Sequence, residues 1–162
     1  MAQHRNAAPT TTFVQLPLIA TLAIYARVAT TEEQPPQSRH VDQLISYASE
    51  LGYVTEQVTV FCDEGAQAAA PLLERQGYTA LLTAIRERAV TVILLRAEDR
   101  IFADATEVQV NTFIHLCIET GVFVVTPQMM YDFQDLSHVA LFRFHCVTAF
   151  QVIEDCLKVK AG

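Results

Sequence analysis

Glycine is scarce in this chain, five residues in 162, and none of them builds a cradle behind the first apolar run. That run, Leu18 to Tyr25, leads instead towards Ala29-Thr30-Thr31-Glu32-Glu33, so phosphate-loop and dinucleotide fingerprints are excluded and nucleotide-dependent enzymes are poor candidates. The four cysteines, Cys62, Cys117, Cys146 and Cys156, contain no Cys-x-x-Cys pair. A disulfide framework or a cysteine metal site is therefore not expected, and reduced core thiols in a cytoplasmic setting are. No apolar run is long enough to cross a membrane, and residues 1–17 lack the apolar stretch of a signal peptide, so neither membrane attachment nor targeting is expected. Positive charge is also short: 11 Lys and Arg against 18 Asp and Glu give a net charge of -7. With no basic arm or tail, DNA binding by this chain alone is expected to be weak, because phosphate contacts dominate such affinity.

What is present is a hydrophobic composition of 51%, enough to build one substantial core in a chain of this length. A loose segment over 1–17 is expected to precede a single domain over 18–160, with no separate DNA-binding domain. The run 18–25 reads as a strand buried on both faces. A helix follows over about 37–51, with Val41, Leu44, Ile45, Ala48 and Leu51 on one face and Gly52 to end it. A second strand covers 58–62 and ends at Asp63-Glu64-Gly65, while the alanine-rich stretch 66–73 carries no clear period. The pattern then repeats: a helix over 76–88, a strand over 90–95, a helix over 104–120 closed by Gly121, and a strand over 122–125. Met129-Met130-Tyr131 suits a short extra strand, and a last helix is expected over 137–157.

Strands alternating with helices imply an α/β fold, doubly wound, with a mainly parallel sheet of four or five strands, helices on both faces and a long C-terminal helix. That last helix is rich in apolar and aromatic residues, which makes it a candidate partner-binding element as well as a core helix; a homodimer is the simplest partner. His138 and His145 lie seven positions apart and no third ligand is specified beside them, so with Cys146 they are expected to pack rather than to bind metal.

The strand end Tyr25-Ala26-Arg27-Val28-Ala29-Thr30 resembles the Tyr-x-Arg-Val-Ser-Thr motif of serine site-specific recombinases. Further matches follow in the same order: Gln43 in the first helix, Asp63-Glu64-Gly65 after the second strand, Glu74-Arg75-Gln76-Gly77 in a turn, and Asp99-Arg100 after the third strand. Thr126-Pro127-Gln128-Met129-Met130-Tyr131-Asp132 is similar to a segment of the large-recombinase branch.

The resemblance implies a resolvase-like catalytic domain without a cofactor, in which a serine attacks a DNA phosphate while arginines hold the phosphate oxygens. Arg27, Arg75 and Arg100 fall at three of those arginine positions, Asp63 and Asp99 at carboxylates that orient them, and Gln43 at a residue that could help to arrange the site. Glu154 falls at a carboxylate of the long helix. Ala29 stands where the nucleophile is expected and Ala103 where a further arginine is. A methyl group cannot attack phosphorus.

Thr30 is the available substitute, although one step along the strand turns its side chain away and its extra methyl crowds an in-line attack. The expectation is a degenerate recombinase-like domain acting in self-association, partner binding or regulation of DNA recombination. The alternatives are an active recombinase domain using Thr30, or supplied as a fragment of a larger protein, and an unrelated α/β regulatory module.

Overall fold

Strand β1, Leu22–Val28, hydrogen-bonds to a parallel neighbour on each side and is buried along almost its whole length, which is what its unbroken apolar run requires. Its pairing with the strand Val58–Glu64 runs through Ala26, Arg27 and Val28, so the strand end that carries Arg27 is paired strand, as expected. The computed structural model describes residues 21–28, 36–54, 57–102 and 106–146. Ala29, Thr30, Ala103, Cys156 and Glu154 lie outside the described residues.

Helix α1, Pro36–Glu50, follows, then β2, Val58–Glu64, which includes the expected turn residues Asp63 and Glu64. The alanine-rich stretch divides into a single helical turn, α2, Ala66–Ala69, and a 3-10 turn at Leu72–Glu74. Next come α3, Gln76–Arg86; β3, Val92–Leu94; α4, Asp99–Phe102; α5, Glu107–Thr120; β4, Phe123–Val125; and β5, Met130–Tyr131. A last helix, α6, occupies 136–146, and the remainder of the expected C-terminal helix is outside the described residues. Thr106 and Gln109 start α5 with a capping box in which each side chain bonds the other's backbone amide, and Gly121 stops it at a φ of 73°, where a side chain would be strained.

The sheet order is β2-β1-β3-β4-β5, parallel through β4, with β5 antiparallel at the edge. Because successive strand side chains point to opposite faces, the apolar residues separate into two layers. Ala23, Tyr25, Ile93, Val124 and Tyr131 meet residues of α3, α5 and α6, whereas Leu22, Ile24, Val92, Leu94 and Val125 meet Leu44 and Ala48 of α1.

The larger layer contains an aromatic cluster that ties α6 to the rest. Phe142 lies 5.0 Å from Tyr131, 5.1 Å from Phe133 and 5.9 Å from Phe102, measured between ring centroids, in edge-to-face contacts. Phe102 in turn meets Phe113 of α5 at 5.1 Å. Because Phe142 is fully buried, Phe142→Ala is expected to lower stability by about 3–5 kcal/mol in urea-induced unfolding.

Candidate functional site

At the carboxyl end of β2, the buried carboxylate of Asp63 joins three elements. Its Oδ2 accepts from the Tyr25 hydroxyl of β1 at 2.8 Å and from the Tyr78 amide at 2.9 Å, while its Oδ1 accepts from the Gly77 amide at 2.6 Å. Both amides belong to the first turn of α3, whose donors have no partner within the helix. Asp63 thus caps α3 from a neighbouring strand and adds negative charge where the helix dipole favours it. Close approach is part of the arrangement: a Cβ on residue 77 would lie 2.6 Å from the Cys62 carbonyl oxygen, so only glycine fits. The Tyr25 hydroxyl is held well above the usual tyrosine range, first by burial and then by its hydrogen bond to Asp63.

Arg75 immediately precedes α3 and is completely buried. Its Nε donates to the Ala70 carbonyl at 2.9 Å and its Nη1 to the Ile101 carbonyl at 3.0 Å, linking the stretch after α2 to α4. The guanidinium also reaches the Tyr25 hydroxyl. At a position where the family resemblance implies an arginine on phosphate oxygens, the buried Arg75 guanidinium serves two backbone carbonyls, which need a donor.

Arg27 and Arg100 come together in a small cleft. It is lined by Tyr25, Ala26 and Arg27 of β1, His40 and Leu44 of α1, and Arg96 and Arg100 beyond β3, and has a cavity volume of about 20 Å³. Between β1 and β3 the order of the sheet changes direction, since β2 lies on one side of β1 and all later strands on the other. The carboxyl edge of such a switch point is where open α/β sheets bind ligands. Arg27 is anchored by a 2.7 Å bond from Nε to the Ala68 carbonyl, Arg96 Nη1 meets His40 Nε2 at 2.7 Å, and Arg100 is exposed. Several guanidinium groups around a water-sized depression suit the oxygens of a tetrahedral anion.

Gln43 is exposed on α1, where His40 and Leu44 are the residues that reach the cleft. Asp99 opens α4. His40 was not singled out from the sequence, and Arg96 counted only among central arginines that permit a local anion site, yet both carried a signal. His40 precedes Leu44 by four residues and shares its helix face, and Arg96 follows the third strand directly, as Arg100 does.

Glu98, which lies between Arg96 and Arg100 in the chain, is buried and accepts a hydrogen bond from the Tyr131 hydroxyl of β5. Tyr131 has one proton and gives it to the carboxylate, so the 2.7 Å contact with His145 Nδ1 requires the imidazole to donate. The same Nδ1 lies 3.5 Å from Glu98. Burial first, and then Glu98, hold Tyr131 far above the usual tyrosine range. His138 is engaged separately, its Nδ1 accepting from the Asp132 amide at 3.0 Å.

The resolvase N-terminal domain profile matches residues 22–154, most of the chain. The chain belongs to that family. Among solved structures, it is similar to the C-terminal catalytic domain of ISC1926 TnpA, an IS607-like serine recombinase, at 24% identity and a TM-score of 0.52, covering 65% of each chain. The resolvase-like chain therefore spans slightly less than two thirds of that domain. It is also similar to the N-terminal catalytic domain of TP901-1 integrase, at 21% identity and a TM-score of 0.51, covering 85% of this chain and 95% of that one. These likenesses agree with the α/β fold. No match was found among curated proteins.

Two outcomes are expected from the Asp63 junction. Asp63→Ala removes the acceptor of three donors and should lower stability by at least about 1–3 kcal/mol in urea-induced unfolding. Tyr25, Tyr78 and Tyr131 all titrate above their ordinary range in the folded resolvase-like domain. Above about pH 10 the unfolded chain therefore binds fewer protons than the folded one, and stability falls as pH rises. Tyrosinate absorbance is expected to appear for these three only together with loss of structure.

Proposed function

We propose that this domain has lost DNA strand cleavage and keeps the recombinase scaffold, with part of its anion-binding mouth, for self-association, partner binding or regulation of DNA recombination. The observation that carries the reading is the end of β1: Arg27 lines the cleft, and the residue two positions further on is Ala29. Transfer of a phosphate to protein requires a nucleophilic oxygen, and alanine has none. Ala103 removes a second expected contribution, a cation for the charge that builds on the phosphate. The burial of Arg75 points the same way, since its guanidinium bonds to the Ala70 and Ile101 carbonyls.

Thr30 is the test of this reading. Cells expressing the protein are lysed under denaturing conditions and protein-linked DNA is captured, which detects a covalent adduct whatever its target sequence. The expected result is a signal no higher than that of the Thr30→Ala variant. An adduct that depends on Thr30 overturns the proposal and favours the active-recombinase reading.

Self-association is supported by α6, on which Leu136 is 81% and Phe144 63% exposed at positions that share a helix face with Ala140. An apolar stripe of this kind suits pairing with a second copy across a twofold axis. Sedimentation equilibrium is expected to show a dimer that Phe144→Glu weakens on the order of tenfold or more. A wild-type monomer at all accessible concentrations would remove this part of the reading.

A further inference from the structure

His40 and Arg96 meet at the cleft, and their chemistry restricts the state of the pair. A guanidinium has donors only, so the 2.7 Å contact makes His40 Nε2 the acceptor. The imidazole is then neutral and carries its proton on Nδ1. Protonating Nε2 removes the acceptor and sets a second cation against Arg96, with Arg27 and Arg100 already lining the same cleft. An anion entering among them reverses that balance, because it accepts from every one of these groups.

The size of the cleft limits the ligand. A volume of about 20 Å³ holds one or two water-sized groups, which fits oxygens of a tetrahedral anion. The groups around His40 in the cleft are Tyr25 and Arg27 from β1, Leu44 from its own helix, Arg96 beyond β3 and Arg100 from α4. Among the described residues, the Asp63 carboxylate is bound to Tyr25 and α3, and that of Glu98 to Tyr131 and His145.

We infer that the cleft takes a tetrahedral oxyanion of the phosphate or sulfate type and that His40 takes up a proton from solvent as the anion enters, exchanging its bond to Arg96 for one to the anion. His40 Nε2 then donates to an anion oxygen, and Arg96 turns its freed donor to the same ligand. This inference rests on the reading of the cleft as a retained anion-binding mouth, and it makes occupancy depend on pH within the range where histidine changes charge.

Sulfate is the probe, since its own charge is constant across that range. Calorimetric titration is run near pH 6 and near pH 8 at fixed ionic strength, in buffers of different ionisation enthalpy. The expected result is net proton uptake and an affinity on the order of tenfold tighter at the lower pH. Proton–nitrogen correlation spectra of the imidazoles are expected to show His40 passing from the Nδ1-protonated tautomer to the doubly protonated form as sulfate is added. His40→Gln is expected to abolish the uptake and flatten the pH profile.

Equal affinity at both pH values without proton uptake overturns the inference and leaves the anion mouth intact. No sulfate binding at either pH overturns both, while loss of cleavage is still judged separately by the covalent-adduct assay. In the supporting case, a short DNA duplex that displaces sulfate with the same pH dependence identifies the source of the oxyanion as a phosphodiester. A duplex that does not compete identifies a free anion.

Discussion

The hydrogen bonds of Asp63 are the constraint on which the rest of this structure depends. One carboxylate at the end of β2 binds the hydroxyl of Tyr25 on β1 and two amides at the start of α3. Moving any of the three elements breaks a buried bond to a charge, so their relative positions are specified at the sheet edge where the cleft opens. The same junction explains why residue 77 is glycine and why Tyr25 stays protonated: the helix is drawn against the Cys62 carbonyl, and the hydroxyl is drawn to the carboxylate. Arg75 completes the arrangement from beneath by holding the chain at Ala70 and at Ile101.

With those supports in place, the cleft follows from topology. Neighbouring strands that run into connections on opposite sides leave a gap at their carboxyl ends, and the first residues past the gap face it. Arg27 arrives on β1, His40 on α1, and Arg96 and Arg100 on the segment after β3. The net charge of -7 does not prevent a local concentration of cations, because Arg27 and the pair Arg96 and Arg100 come from separate segments that only the fold brings together.

Period and punctuation made most of this fold legible in the sequence. The apolar strands, the helix over Leu44 and Ala48 and the glycine stops emerge where expected, since each depends on local pattern. Element ends were less legible. Asp63 looks like a turn residue although it continues β2, because its pairing with Arg27 of β1 is tertiary. The burial of Arg75 was not legible for a related reason: it is set by carbonyls contributed from residues 5 and 26 positions away, the second beyond any local window. His40, Glu98, Tyr131 and His145 were missed as partners because their contacts are tertiary, although the spacing of His40 and Leu44 hinted at a shared face.

The division among the three family arginines bears directly on how a domain can lose chemistry and keep its shape. Arg75 stabilises the fold through backbone carbonyls, so its presence says little about whether phosphate is still bound. Arg27 and Arg100 differ, because they line an open depression that Arg96 and His40 also line. Among the described residues, the contacts at Asp63, Arg75 and Phe142 that hold the scaffold are distinct from the side chains of His40, Arg96 and Arg100 that line the cleft. The part of the fold that sets its shape and the part that gathers cations are therefore physically separable in this protein, so a change at one need not withdraw the other.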